Sequence, residues 1–242
     1  MNSNRPIKLL HLYPRDMNIY GDHGNILTLQ RRLEWYGYTP VVLTYDPGDS
    51  FPDNVDIIVG GGGQDSGQSK VQDDLHTIVH HLQTLADSNV PMLMVCGLYQ
   101  LFGKFFKTSD DEIIKGIGLL DIETYAKPER LIGNIIVRTK EFGDVIGYEN
   151  HSGQTFIGEG ATAFGSVIKG AGNNMADSSE GARYNNVIGT YLHGSILPKN
   201  PRLADFLITT AVTNRYGSFE PSGTPDDHLI EPAREIALKR PR

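Results

Sequence analysis

The stretch from Asn89 to Phe102 limits the possible folds of this chain more than any other part of its sequence. It reads Asn-Val-Pro-Met-Leu-Met-Val-Cys-Gly-Leu-Tyr-Gln-Leu-Phe. Residues 91–95 are an uncharged apolar run that predicts a buried strand, and residues 98–102 predict the start of a helix. Cys96 and Gly97 lie between the two. A strand that ends at a nucleophilic side chain, followed by glycine and a helix, is typical of a nucleophile elbow, here with sulfur in place of oxygen.

An elbow at Cys96 suits the chemistry of a thiol. The N-terminus of the following helix carries positive partial charge, so we expect it to favour the thiolate, which is the form that attacks carbon. Gly97 permits the sharp turn, and its N–H can face an oxyanion. A free cysteine after a core strand is more commonly a buried structural residue, and this stretch alone does not decide between the two interpretations.

Composition limits the partners and the compartment. The chain has 22 basic and 29 acidic residues, a net charge of −7, and no basic cluster, which argues against nucleic acid or an anionic membrane as the main partner. Its single cysteine excludes an intrachain disulfide and suits a reducing compartment. No apolar run approaches the ~20 residues that span a bilayer, and residues 1–5 lack the apolar core of a signal peptide. We therefore expect a cytoplasmic protein without a membrane span.

Strands and helices alternate through the first hundred residues. Besides the strand that ends at Cys96, the apolar runs predict strands over residues 7–13, 40–45 and 55–59. Helical spacing predicts one helix that begins near Ile26, with Arg31, Arg32 and Glu34 pointing outward, and a second helix over residues 71–85. This order predicts a parallel sheet with helices on both faces and ligands at the carboxyl ends of its strands.

Four consecutive glycines, residues 60–63, follow the third predicted strand directly. They suit a flexible turn or a loop that grips phosphate, but the lysine and Ser/Thr of a P-loop are missing and the spacing is not GxGxxG. Beside a nucleophile elbow, such a loop can instead supply the second N–H of an oxyanion hole.

The second half of the chain has a different pattern. Residues 119–189 predict short, mostly antiparallel strands, with a polar loop over 170–183. Residues 187–193 predict a core strand, and helices are predicted from Pro201 onward and over residues 229–239. No repeat or long linker is present, so we predict a single domain over residues 1–242, with a core at about 6–216 and a C-terminal extension at 217–242.

A thiolate that attacks an amide or ester needs a group that exchanges protons near neutral pH, and histidine does this. His193 is the preferred candidate because a core strand brings it to the same sheet edge as Cys96, and His151 is a candidate for the mouth of the pocket. Each is also compatible with a hydrogen-bonded structural role. His76 and His80 have metal-binding spacing but no third ligand nearby, so no metal site is predicted.

Two motifs together carry a resemblance to a known family. Val95-Cys-Gly-Leu-Tyr-Gln100 with Gly189-Thr-Tyr-Leu-His-Gly194 resembles the class I glutamine amidotransferases, in the branch related to cobyric acid synthase. Further matches, from His11-Leu-Tyr-Pro to Gly147-Tyr-Glu-Asn-His-Ser-Gly153, resemble the glutaminase subunits of lipid II isoglutaminyl synthases. The resemblance covers about residues 8–215. It implies an α/β, flavodoxin-like amidotransferase fold, with a mostly parallel central sheet, flanking helices and extra antiparallel β elements.

The resemblance also implies roles for individual residues. Cys96 matches the family nucleophile that attacks the side-chain amide of glutamine, and His193 matches the base. Arg130 matches the arginine assigned to glutamine binding, and its guanidinium suits an α-carboxylate. Without the family, Arg130 would be interpreted as a surface residue after a turn.

The remaining implied site residues surround the sulfur. The backbone of Gly61 and Gly62 and the N–H of Gly97 are expected to form the oxyanion hole, and Gln100 is expected to lie in the pocket. Many relatives carry an acid two residues after the histidine, where this chain has Ser195. The related branch also lacks that acid, so either a backbone carbonyl or an acid from elsewhere, including a partner chain, is left to orient His193.

The resemblance finally implies a partner. The chain shows no ATP-binding loop, so no cofactor is expected in it, and ATP and Mg²⁺ are expected in a MurT-type Mur-ligase subunit that forms a heterodimer with it. That subunit would amidate the D-glutamate α-carboxyl of the lipid II stem peptide with the released ammonia. The alternatives are the glutaminase part of a cobyrinate-type amidotransferase, a catalytically silent scaffold for a ligase, and a cysteine peptidase on a similar sheet.

Overall fold

The computed structural model describes residues 5–241, so most of the N-terminal segment used in the signal-peptide prediction lies outside the described residues. Its strands are β1 (Pro6–Leu12), β2 (Thr39–Tyr45), β3 (Ile57–Gly60), β4 (Met92–Val95), β5 (Phe105–Lys107), β6 (Ile113–Lys115), β7 (Ile122–Thr139), β8 (Gly143–Ile157), β9 (Gly165–Lys169), β10 (Ser179–Glu180), β11 (Ala182–Tyr184) and β12 (Val187–Thr190). Its helices are α1 (His23–Trp35), α2 (Asp65–Thr77), α3 (Val79–Asp87), α4 (Gly97–Phe102), α5 (Ile196–Lys199), α6 (Pro201–Tyr216) and α7 (Ile230–Leu238). Within residues 5–241 no helix has both the length and the apolar character needed to cross a membrane.

The central sheet has six strands in the order β11-β12-β4-β3-β1-β2. All neighbouring pairs are parallel except β11 with β12. Every residue of β3, β4 and β12 is buried, as expected for strands covered on both faces. The predicted α/β fold with a mostly parallel central sheet is therefore confirmed, and the carboxyl ends of β3, β4 and β12 lie side by side.

The antiparallel part of the fold is more extended than predicted. Instead of several short strands, β7 and β8 form one long hairpin with 18 and 15 residues. Their pairing runs from Ile122 opposite Ile157 to Thr139 opposite Gly143, with a register shift between Ala126 and Leu131. Mixed polar and glycine positions in this region interrupt the period-two pattern, which is why the sequence suggests separate pieces.

The predicted single helix over residues 71–85 is wrong in one respect, because α2 ends at Thr77 and α3 begins at Val79. Ile78 between them has φ −102° and ψ 3°. In a continuous helix the N–H of Ile78 would donate to the carbonyl of Asp74. The hydroxyl of Thr77 donates to that carbonyl instead, at 2.6 Å. The side chain thus competes with the helical hydrogen bond at this position.

The loop predicted over residues 170–183 also differs from expectation, because much of it is buried and it contains β10 and the start of β11. Asn173 is fully buried, and its side-chain oxygen accepts hydrogen bonds from Tyr99 Oη at 3.0 Å and from the N–H of Gly181 at 2.9 Å. Amide side chains satisfy the buried backbone here, so polarity in the sequence does not indicate exposure.

The predicted outward orientation of Arg32 is wrong, because its side chain points inward and is only 2% exposed. Its Nε and Nη2 donate to both carboxylate oxygens of Asp205, each at 2.8 Å. Its Nη1 and Nη2 donate to Asp227 at 2.6 and 3.0 Å. Asp227 belongs to the predicted C-terminal extension, so this arginine ties α1 and α6 to that segment. The boundaries 6–216 and 217–242 themselves stay a prediction.

We expect Arg32→Ala to lower the free energy of unfolding by about 2–4 kcal/mol, because it leaves two carboxylates facing each other without their cation. Chemical denaturation monitored by circular dichroism measures the change. Arg31→Ala is the matched control: Arg31 is exposed, pairs with Glu34 at 2.9 Å and lies over the Trp35 ring at 5.1 Å, and its loss should cost under about 0.5 kcal/mol. Equal effects of the two substitutions would contradict the assigned role of Arg32.

Candidate active site

Cys96 lies at the tip of β4 in the geometry of a nucleophile elbow. Its φ of 51° and ψ of −103° are unusual for a residue with a β-carbon and mark local strain of the kind found at functional sites. Two backbone hydrogen bonds stabilise this conformation. The N–H of Cys96 donates to the carbonyl of Thr190 at 2.8 Å, and the carbonyl of Cys96 accepts from the N–H of Gln100 at 3.0 Å. Its exposed fraction is 6%, so the thiol lies at the bottom of the site.

His193 reaches the same edge of the sheet, although β12 ends three residues before it. Its backbone pairs with Tyr148 of β8, with its N–H donating to that carbonyl at 2.8 Å. Neither ring nitrogen of His193 has a hydrogen-bond partner within residues 5–241. The ring packs instead against Tyr20, with a centroid distance of 4.3 Å. Ser195 donates its hydroxyl to the carbonyl of Gly21 at 2.7 Å.

The two predicted catalytic side chains converge above Gly62. A β-carbon placed on Gly62 would lie 3.0 Å from Cε1 of His193 and 3.2 Å from Cβ of Cys96. Both side chains therefore border the same small space, and any larger residue at position 62 would fill the gap between them.

The electrostatic surroundings of Cys96 correct one expectation from the sequence. Burial raises the pKa of the thiol to about 12, and the nearby carboxylate of Asp22 acts in the same direction. The N–H of Gly97 and the guanidinium of Arg130 lower it by smaller amounts. This shift is opposite in direction to the expected resting thiolate, so activation of the sulfur needs a base that removes its proton.

His193 is placed to be that base. Burial lowers its pKa to about 3, and His151, Arg130 and Lys199 add to the shift. The imidazole is therefore neutral at physiological pH and has a free lone pair to accept a proton. This neutral state and the absence of a hydrogen-bond partner among the described residues leave both of its nitrogens available.

Arg130 lies on the mouth of a pocket that leads down to Cys96. It stands in the irregular part of β7, where its Nε donates to Asn150 Oδ1 at 2.7 Å and its Nη2 donates to Tyr20 Oη at 3.4 Å. The pocket has a volume of about 360 Å³, and Gln100 and His151 also line it. The remaining N–H groups of the guanidinium can meet an anionic group that enters this pocket.

Gln100 lies in the wall of the pocket with both ends of its amide engaged. Its Oε1 accepts from Gln68 Nε2 at 2.8 Å, and its Nε2 donates to Tyr191 Oη at 3.1 Å. His151 stacks on the ring of Tyr191 at 3.6 Å, and its Nδ1 lies 2.7 Å from the carbonyl of Gly153. Burial lowers the pKa of His151 to about 4. These residues form a fixed wall, and Nε2 of His151 has no hydrogen-bond partner within residues 5–241.

The three glycines expected to form the oxyanion hole differ in the partners of their backbone N–H and carbonyl groups. The N–H of Gly97 faces the sulfur of Cys96 and lowers the thiol pKa. The carbonyl of Gly61 accepts from Leu98 at 3.3 Å. The N–H of Gly62 donates to Asp22 Oδ2 at 2.8 Å and is therefore already occupied.

Three residues of the site were missed in the sequence: Tyr20, Asp22 and Asn150. Tyr20 and Asp22 stand in Asn18-Ile-Tyr-Gly-Asp-His-Gly-Asn25 and Asn150 in Gly147-Tyr-Glu-Asn-His-Ser-Gly153, two motifs that carry the resemblance. A single tyrosine, aspartate or asparagine in such a stretch has no distinctive local pattern. Their roles depend on the loop before α1 and the β7–β8 hairpin meeting at the sheet edge, which no local pattern predicts.

The comparisons with known proteins agree with this geometry. The model of the CobB/CobQ-like glutamine amidotransferase domain matches residues 8–201, so the chain belongs to that family. A chain of the structure of PurLQS from Thermotoga maritima has the same fold, with a TM-score of 0.59 at 13% identity over 87% of this chain and 99% of that one.

Two curated relatives share most of the chain and carry the same name, lipid II isoglutaminyl synthase (glutamine-hydrolyzing) subunit GatD. The protein from Staphylococcus aureus (strain N315) is 34% identical over 97% of this chain and 96% of its own length. The protein from Streptococcus pneumoniae (strain ATCC BAA-255 / R6) is 37% identical over 87% of this chain and 82% of its own length.

Proposed function

We propose that this chain is the glutaminase subunit of a lipid II isoglutaminyl synthase and hydrolyses L-glutamine with Cys96 and His193. The observation that carries the proposal is the meeting of a strained, buried thiol and a neutral imidazole at one point, below a pocket with an arginine at its mouth. The shared name of the two relatives supports the choice of the complex.

Each of these groups has a defined role in the reaction. Arg130 holds the α-carboxylate of glutamine, which places the side-chain amide near the sulfur. The thiol of Cys96 transfers its proton to a ring nitrogen of His193 as the sulfur attacks the amide carbon, and backbone N–H groups stabilise the resulting oxyanion. The imidazolium then gives its proton to the departing ammonia. Water hydrolyses the remaining thioester to glutamate and returns a proton to the sulfur.

The released ammonia needs a consumer, and we propose a MurT-type ligase that amidates the α-carboxyl of D-glutamate in the lipid II stem peptide. ATP and Mg²⁺ belong to that partner in this proposal. The glycine segment of the present chain suits a catalytic loop better than a phosphate loop, because the buried carboxylate of Asp22 lies against Gly61 and Gly62 and would repel phosphate. A cytoplasmic location stays a prediction.

Co-purification with a candidate ligase, followed by a glutaminase assay with and without it, tests the proposal. We expect a stable one-to-one complex that releases ammonia from glutamine. A purified complex without glutamine hydrolysis would favour the silent scaffold, and labelling of Cys96 by peptide-directed electrophiles but not by glutamine analogues would favour a peptidase. Amidation of a cobyrinate substrate would favour the cobyrinate-type alternative.

We expect Arg130→Ala to raise the KM for glutamine by about 10–100-fold with a smaller effect on kcat, because it removes the partner of the α-carboxylate but not the reacting groups. Arg130→Lys keeps the charge without the two-pronged geometry and should restore only part of the affinity. Steady-state kinetics measure both.

Arg138→Ala is the matched control for Arg130. Arg138 lies on the same strand, is exposed and pairs with Asp144 at 2.8 Å, so its loss should leave KM unchanged. An unchanged KM in Arg130→Ala would contradict the role of Arg130 in binding glutamine.

A further inference from the structure

Asp22 is a buried carboxylate that the proposed reaction does not use. It stands directly before α1 and is fully buried. Its Oδ2 accepts the N–H of Gly62 at 2.8 Å, and its Oδ1 has no hydrogen-bond partner within residues 5–241. No ion pair involving Asp22 occurs among these residues. A buried charge without a cation is costly, so its presence beside Cys96 calls for a function.

The loop that contains Asp22 forms hydrogen bonds with both the N–H and the carbonyl of Gly62. The N–H of Gly62 donates to Asp22, while its carbonyl accepts from the N–H of Ile19 at 3.1 Å. The preceding glycine is confined as well, since a β-carbon on Gly61 would lie 2.7 Å from Asp22 Oδ2. Because both its N–H and its carbonyl are engaged, the backbone of Gly62 is held in place beside Cys96 and His193.

The same contact removes one amide from those that could stabilise an oxyanion. Because the N–H of Gly62 points to Asp22, it is not available to an oxyanion. The nitrogen of Gly63 lies 3.0 Å from where a β-carbon on Gly97 would be, so the backbones of these two glycines are adjacent, and Gly63 lines the pocket.

We propose that Asp22 is a positioning residue of the catalytic site. By holding the N–H of Gly62 it fixes the glycine segment between Cys96 and His193, and it leaves the amides of Gly63 and Gly97, instead of Gly62, to stabilise the oxyanion. The oxyanion part of this proposal rests on the proposed function, whereas the placement of Asp22 against Gly62 does not.

The carboxylate also acts on the thiol through its charge. After burial it is the largest cause that raises the pKa of Cys96, and burial raises the pKa of Asp22 itself to about 6. The other groups that act on the thiol are the N–H of Gly97, Arg130 and Asp65. Hydrogen bond and charge are therefore two separable effects of one side chain.

Two variants separate these effects. Asp22→Asn keeps an oxygen that accepts the N–H of Gly62 and removes the charge, whereas Asp22→Ala removes both. In the full chain, alone and with the ligase, we expect Asp22→Ala to lower kcat for glutamine hydrolysis by about 30–100-fold, because small displacements of reacting groups are expensive. Asp22→Asn should stay within about threefold of the wild-type kcat.

Alkylation of the sole cysteine by iodoacetamide reports on the charge without any requirement for glutamine. At a fixed, mildly alkaline pH we expect Asp22→Asn to be alkylated about 3–10 times faster than the wild type, because loss of a like charge favours the thiolate. This arm tests the charge effect even if Asp22→Ala does not fold, and the kcat of Asp22→Asn then still tests the hydrogen bond to Gly62.

Asp56→Asn is the matched control. Asp56 is also buried and accepts a backbone N–H, that of Lys8 at 2.7 Å, but it lies before β3, at the opposite end from Gly62. It should leave both kcat and the alkylation rate unchanged. Wild-type kcat in Asp22→Ala, or a kcat in Asp22→Asn as low as that of Asp22→Ala, would overturn the positioning role of Asp22. An alkylation rate in Asp22→Asn equal to that of Asp56→Asn would overturn its charge effect on the thiol. Failure of the wild type itself to hydrolyse glutamine would instead reject the proposed function, while the alkylation result still tests the effect of Asp22.

Discussion

Replacing Cys96 by serine should lower glutamine hydrolysis by about 10⁴-fold or more. Serine keeps the size of the side chain and the elbow, but a hydroxyl is far harder to deprotonate than a thiol, and the neutral imidazole of His193 is a weak base because of its burial. The measurement is ammonia release with glutamine as substrate. The fold should be unchanged, because the backbone hydrogen bonds of residue 96 to Thr190 and Gln100 do not involve the sulfur.

Ammonium salt provides the internal control for this substitution. If ammonia is the product that the ligase consumes, the complex with Cys96→Ser should keep amidating its substrate when ammonium replaces glutamine. Glutamine-driven amidation that survives the substitution would show that Cys96 is not the nucleophile. Loss of amidation with both nitrogen sources would show that the substitution damages the partner's site instead.

Replacing His193 by alanine should lower kcat by about 10³–10⁴-fold with little change in KM, because the thiol would lose its proton acceptor while the arginine at the pocket mouth stays in place. Since the pKa of the thiol is raised to about 12, hydroxide from solution can replace the base only at high pH. The residual activity of the variant should therefore rise steeply with pH across the alkaline range, which a pH–rate profile measures.

His11→Asn is the matched control for His193. His11 is likewise buried, with a pKa lowered to about 4 by burial and by His23, but it lies within β1 and does not line the pocket. It should alter stability without altering kcat. A His193→Ala variant that keeps wild-type kcat and the wild-type pH profile would remove His193 from the mechanism.

The central sheet could be predicted from sequence because its strands are short, apolar and uncharged. The predicted strand over residues 40–45 corresponds to β2, and residues 91–95 contain β4. Local patterns failed where side chains made their own hydrogen bonds. Thr77 interrupts a helix that has a continuous apolar face, and Arg32 is buried because two aspartates far away in sequence come to meet it.

Part of the candidate site could be predicted because its two reacting residues follow buried strands of the central sheet. Cys96 and His193 follow buried parallel strands, so their positions at one sheet edge follow from the order of elements. Only the family resemblance indicates a role for Arg130, since an exposed arginine in a hairpin has no distinctive pattern. Asp22 was missed because its importance depends on the approach of the Gly62 N–H, which only the folded chain shows.

The raised pKa of the thiol could not be read from the sequence either. A cysteine at a helix N-terminus suggests a thiolate, but the helix is short and the sulfur is buried beside a carboxylate. Burial depends on how the loop before α1 packs against the elbow, where Cε of Met17 lies 2.7 Å from the β-carbon position of Gly97, and such packing is a property of the whole fold.

Trapping the acyl-enzyme is the most direct test of Cys96 as the nucleophile that attacks glutamine. Glutamine is mixed with the wild-type chain in its complex and the reaction is quenched with acid within the first turnover, then the peptide that contains residue 96 is analysed by mass spectrometry. We predict that this peptide gains the mass of one glutamyl group, that hydroxylamine removes it, and that Cys96→Ala never acquires it. Ammonia release with no glutamyl group on residue 96, or with the group on another side chain, would contradict the account.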